Sequence, residues 1–151
     1  MEKKYNLTFY KSELAQYNYI LKDTDIRYKV SNFLLKYVSV EAFYKKLLIA
    51  EKEKNGNKLS KKTKHNLPVK ANEVKKVLEY YDIDFEDELI ERIFGSNDRN
   101  YMECSIKKLR DRMVHRVNDN VLRIILERYE SINKDLDDFI SLFSTNYQSN
   151  N

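Results

Sequence analysis

Apolar residues recur along most of the chain at intervals of three and four, the period of a helix with one buried face. Phe9 to Lys22 carries Leu14, Tyr17, Ile20 and Leu21 at that spacing and predicts a first helix. A longer stripe follows, through Ile26, Val30, Phe33, Leu34, Tyr37, Val38, Tyr44, Leu47 and Leu48, with Asp23 or Thr24 as its cap and Asn55-Gly56 as its stop. Between 52 and 70 the pattern is lost: KEKNGNKLSKKTKHNLPVK is basic, almost free of apolar residues, and reads as a flexible loop inside one domain. Two short helices are expected next. Asn72 to Tyr81 groups Val74, Val77 and Leu78, and Glu86 to Phe94 groups Leu89, Ile90 and Ile93 behind an acidic start. Gly95 stops the second, and Ser96, Asn97 or Asp98 caps a helix bearing Met102, Ile106, Leu109, Met113 and Val117. Asn118-Asp119-Asn120 kinks or breaks the chain before a last amphipathic stretch from Val121 to Phe143, and the polar tail from 144 to 151 reads as frayed.

Composition narrows the fold class. Gly56, Pro68 and Gly95 are the only Gly or Pro residues in 151, too few turn formers for a β-sandwich or barrel. One all-α domain is expected, an antiparallel bundle of about five to six helices with a core that needs no staples. The lone Cys104 excludes an intramolecular disulfide and reads as a small buried apolar residue. With no apolar run near the length of a membrane span and no signal-like stretch in Met1 to Tyr10, a cytoplasmic protein without a membrane anchor is expected. The net charge of +4 permits a polyanionic partner without requiring one. Twelve Tyr and seven Phe with no Trp make the aromatic content largely amphipathic, suited to core edges or a subunit interface.

Most catalytic signatures are missing. The sequence holds no glycine-rich phosphate loop, no G-x-S-x-G elbow and no H-E-x-x-H. One Cys and two His without ligand spacing argue against a metal, and no cofactor is expected. What remains is Lys107 to Asn120, KKLRDRMVHRVNDN, in which Arg110 and His115 are separated by four residues, Asp111 follows the arginine, and Lys107, Lys108, Arg112 and Arg116 surround them. On an unbroken helix Arg110 lies beside the core stripe, while His115 is about 140° further round and faces outward. Glu41 sits on the stripe of the long helix, where a carboxylate is costly unless paired, so it is a candidate to steady Arg110. Lys61, Lys62 and Lys64, with Lys58 and His65, form a second basic group suited to non-specific phosphate contact or to simple solvation.

The segment resembles the R-x-x-x-x-H motif of HEPN domains, small all-α domains many of which are metal-independent ribonucleases. Asp111 matches the small polar residue common after the arginine, and Met113 and Val114 match the apolar positions before the histidine. Such cleavage needs a base for the 2′-hydroxyl, donors for the phosphorane and an acid for the leaving oxygen, more than one Arg and one His supply. The resemblance implies the remedy: a homodimer that faces two motifs across its two-fold axis, with Arg110 and His115 catalytic and Asp111 and Glu41 in support. It further implies products with 2′,3′-cyclic phosphate and 5′-hydroxyl ends, a role as a toxin or antiviral-defence effector, and an antitoxin or other defence-system protein as partner. One departure is Val117, which stands where a toxin branch carries a modified tyrosine; Tyr101 and Tyr129 do not occupy that place. Two other readings stand beside it: a non-catalytic HEPN-like domain binding RNA, a nucleotide or a partner protein, and a purely structural bundle.

Overall fold

A computed structural model describes residues 22–96, 103–115 and 119–149, with side chains described as far as residue 144. Among these residues there are seven helices and no strand: α1 (Thr24–Lys52), α2 (Lys61–His65), α3 (Ala71–Tyr80), α4 (Asp87–Phe94), α5 (Ile106–His115), α6 (Asp119–Glu127) and α7 (Tyr129–Ser149). The all-α bundle expected from the sequence is what the chain forms. No described helix is long and apolar enough to cross a membrane. The first helix expected over Phe9 to Lys22 lies outside the described residues except for Lys22, which is helical.

Helix α1 begins where its cap dictates: the extended backbone of Asp23 lets its carboxylate accept the Ile26 amide at 3.0 Å. Its buried face is Ile26, Val30, Phe33, Tyr37, Val40, Tyr44 and Leu48. The stripe therefore runs through Val40, whereas Val38, expected inside, is 53% exposed. This one-step drift leaves Glu41 on the flank of the face. Tyr37 and Tyr44 are wholly buried rather than at a core edge, and with Phe94, Phe139 and Phe143 they make a continuous train of rings. Neighbouring rings in that train are 5.3–6.5 Å apart and tilted or edge-on, the favoured arrangement.

The segment read as a loop has more structure than its composition suggests. Ser60 caps the single-turn α2 by accepting the Thr63 amide at 3.1 Å, and the Glu53 carboxylate holds both the Leu59 amide and Lys64, each at 3.1 Å. These two donors, the amide first, hold the Glu53 carboxyl below its ordinary range. Leu67 and Val69 are buried in the main core and anchor the far end.

Helix α3 ends without glycine, on Asp82 in the left-handed region (φ 56°), and the Ile83 amide bonds back to the Leu78 carbonyl at 3.0 Å. The last amphipathic stretch is two helices, α6 and α7, parted at Arg128, and α7 runs to Ser149.

Helix α1 is central and packs on α3, α5, α6 and α7. Against α3 it runs antiparallel, as the pairs Leu47–Tyr81 and Lys52–Glu73 show. Against α7 the order Asn32–Tyr129, Lys36–Asp137, Phe43–Phe143 shows the opposite: the two longest helices run parallel. An antiparallel bundle is thus only part of the architecture.

Candidate functional site

Helix α5 carries the motif, and its setting follows from its first turn. The cap of α5 is Ser105: its side-chain oxygen accepts the Lys108 amide at 3.2 Å, and the residue is itself buried, while Asn97 and Asp98, two of the caps expected, lie outside the described residues, as does Met102. Arg128 donates to the Cys104 carbonyl at 2.9 Å, tying this start to the junction of α6 and α7. Cys104 is buried, and that burial raises its thiol above the ordinary range. Ile106, Leu109 and Met113, spaced by three and four, then fix which side of α5 faces the core.

With that face fixed, Arg110 falls beside α1. Its Nη2 lies 3.0 Å from Glu41 Oε2 and 3.1 Å from Asp111 Oδ1. Its guanidinium stacks over the Tyr37 ring, 4.9 Å from the centroid. Lys45, one turn beyond Glu41, reaches the other carboxylate oxygen at 3.5 Å. Arg110 and Glu41 are about four-fifths buried, with side chains 23% and 18% exposed. Desolvation pulls the guanidinium's pKa down, but Tyr37, Glu41 and Asp111 outweigh it, so Arg110 stays charged. Burial, reinforced by the Glu41 carboxylate, holds the Tyr37 phenol far above its usual range, with Arg110 pulling less strongly the other way. The Tyr37 hydroxyl and Arg110 Nε are both buried, without a hydrogen-bond partner among the described residues.

His115 is elsewhere on α5. It is exposed, as is Arg112, and Val114 between Arg110 and His115 is 60% exposed. Five helical positions put His115 about 140° round and about 7.5 Å along the axis from Arg110. One copy of the chain therefore brings Arg110, Asp111 and Glu41 together and holds His115 apart. Lys107 and Lys108 are half-buried on the same helix, and Arg116 lies outside the described residues. On α2, Lys61 and Lys62 are exposed, whereas Lys64 is committed to Glu53.

Tyr37 and Lys45 are members of this site that periodicity alone does not disclose. Tyr37 reads as a core residue and is one; the signal of its second role is Glu41 four positions on, which places a phenol and a carboxylate on adjoining parts of α1. Chemically, the arrangement holds one guanidinium rigidly, with two cations set against two carboxylates. Among the described residues no group of three or more His, Cys, Asp or Glu side chains is placed to hold a metal. Comparison with protein-family models, curated proteins and solved structures finds no match, so the HEPN resemblance rests on the motif and its helical setting.

Proposed function

We propose that the chain is a HEPN-type, metal-independent endoribonuclease that acts as a homodimer, in a toxin or antiviral-defence role. The observation that carries the reading is the division of labour on α5: Arg110 is clamped by Glu41, Asp111 and Tyr37, while His115 on the same helix is exposed beside an exposed Val114. A fixed guanidinium suits stabilisation of charge on a phosphorane, and a solvent-facing imidazole suits proton transfer near neutral pH. Because one copy keeps the two apart, a centre with two of each forms only when a second copy brings its own α5 across a two-fold axis. Val114 supplies apolar surface that such a contact covers. RNA would then be cut to a 2′,3′-cyclic phosphate and a 5′-hydroxyl, His115 of one copy taking the 2′-hydroxyl proton and that of the other donating a proton to the leaving 5′ oxygen.

A second reading is favoured by one observation. The charge on Arg110 and Lys45 is already offset by Glu41 and Asp111, which suits a non-catalytic HEPN-like domain that binds RNA, a nucleotide or a protein. Incubation with RNA in EDTA separates the two. The ribonuclease reading expects cleavage by the wild type and its loss in both His115→Ala and Arg110→Ala, with the dimer intact; wild-type rates from His115→Ala end that reading.

A further inference from the structure

Away from the Arg110 cluster, a cavity of about 870 Å³ opens between the end of α1, the start of α3, the end of α4 and the start of α5. Its volume is in the range of sites that hold a nucleotide-sized ligand. Four lysines line it, Lys52, Lys70, Lys76 and Lys107, and three glutamates, Glu51, Glu73 and Glu91. The near balance of that count is misleading, because the glutamates are already engaged. Glu73 pairs with Lys52 at 3.1 Å, Glu51 with Lys54 at 3.0 Å and Glu91 with Lys75 at 2.9 Å, the last two partners standing outside the lining. Lys70, Lys76 and Lys107 have no counter-ion among the described residues. Three uncompensated ammonium groups therefore share one concave surface. Lys70 also leaves α3 without a side-chain cap, so the first amides of that helix add partial positive charge in the same place.

We infer that this cavity is a subsite for the backbone phosphates of the RNA strand that crosses Arg110. Lys107 connects the two places, since it lines the cavity and stands one helical turn before Arg110 on α5. A rise of about 4.5 Å between those residues lets neighbouring phosphates of one strand occupy both. Lysine ammoniums suit phosphate oxygens as point charges. The lining offers no platform for a base: its single aromatic residue, Phe94, is 2% exposed and used in the core. The subsite therefore reads the strand by charge and not by sequence. The choice of RNA as ligand rests on the ribonuclease reading, whereas the preference for phosphate comes from the cavity itself.

The test uses the full chain with Lys70, Lys76 and Lys107 all changed to Gln. These residues make no ion pair among the described residues, so the variant should melt with the wild type. Binding of single-stranded oligoribonucleotides of several sequences to His115→Ala protein is measured against salt, with and without the triple change. The account expects about tenfold weaker binding from the triple change and a salt slope shallower by about two, equally for every sequence. Unchanged affinity and slope overturn the subsite. Binding that weakens as expected, joined to a wild type that never cleaves, supports the subsite and removes the ribonuclease reading. No RNA binding at all, together with inorganic phosphate or a mononucleotide shifting the amide resonances of Ala71 to Glu73, overturns the RNA assignment in favour of a small phosphorylated ligand.

Discussion

Replacing Glu41 by Gln tests whether the clamp on Arg110 is a working part of the fold or an incidental surface pair. An exposed ion pair contributes about 0.2–1 kcal/mol, whereas removing one partner of a fully buried pair costs about 3–5 kcal/mol. The Arg110–Glu41 contact lies between these limits, at 3.0 Å with both side chains about four-fifths buried. Arg110 keeps Asp111 at 3.1 Å after the change, and Lys45 loses its only counter-ion among the described residues. We expect a loss of about 2 kcal/mol, which for a chain of this length lowers Tm by about 4–8 °C. Asp111→Asn should cost about 0.5 kcal/mol or less, because that side chain is 36% exposed and lies on the open side of the guanidinium. Urea denaturation of Glu41→Gln, Arg110→Met and the double variant gives the coupling directly, expected at about 1–2 kcal/mol and largely retained in 1 M salt because burial limits screening. A coupling below about 0.3 kcal/mol, or one abolished by salt, would refute the view that α1 holds the arginine.

Other outcomes follow from the same structure. Tyr37 and Tyr44 keep their phenolic protons in the folded chain above the pH near 10 at which the unfolded chain loses them, so the unfolded state binds fewer protons there and stability falls as pH rises. The expected slope in denaturation midpoints above that pH corresponds to about 1.4 kcal/mol per unit for each tyrosine, and Tyr44→Phe should halve it. Gly95→Ala should destabilise by about 1–3 kcal/mol in thermal melts, since a β-carbon there clashes with the Glu91 carbonyl oxygen. Phe94→Ala should cost about 3–5 kcal/mol, because its ring joins Tyr37 and Tyr44 to Phe139.

Helices α1 and α4 were legible because each combines an apolar period with a local start or stop signal, Asp23 at 3.0 Å from the Ile26 amide and Gly95 after Phe94, whereas α3 was legible from its apolar period alone. Over the 29 residues of α1 a small error in phase accumulates, and Val40 takes the buried place that Val38 was assigned. Helix α2 has no buried residue, so periodicity carries no trace of it; only Ser60 three positions before Thr63 signals its start. The break at Arg128 has no Gly or Pro to mark it, and its side chain is used 24 residues away on the Cys104 carbonyl. The parallel run of α1 and α7 depends on pairs about 100 residues apart, beyond any local pattern.

Within the site, Glu41 was legible as a carboxylate beside an apolar stripe, where only a cation makes it tolerable, and Arg110 was legible from the motif. Tyr37 was hidden because a buried tyrosine looks like any other core residue until its hydroxyl is found without a partner among the described residues. The lysine-lined cavity was hidden for a different reason: Lys52, Lys70, Lys76 and Lys107 are gathered from three separate stretches, and which glutamates are spent elsewhere is visible only in three dimensions.

In the proposed ribonuclease, one centre needs Arg110 and His115 from two copies of the chain. The most direct measurement of this requirement is RNA cleavage in EDTA by wild-type protein allowed to exchange subunits with a tenfold excess of His115→Ala protein. If the centre is shared, wild-type subunits are diverted into mixed dimers with a single histidine, and activity falls to roughly one tenth of its starting value. Activity unchanged by the excess, or no cleavage by the wild type alone, would contradict the shared centre.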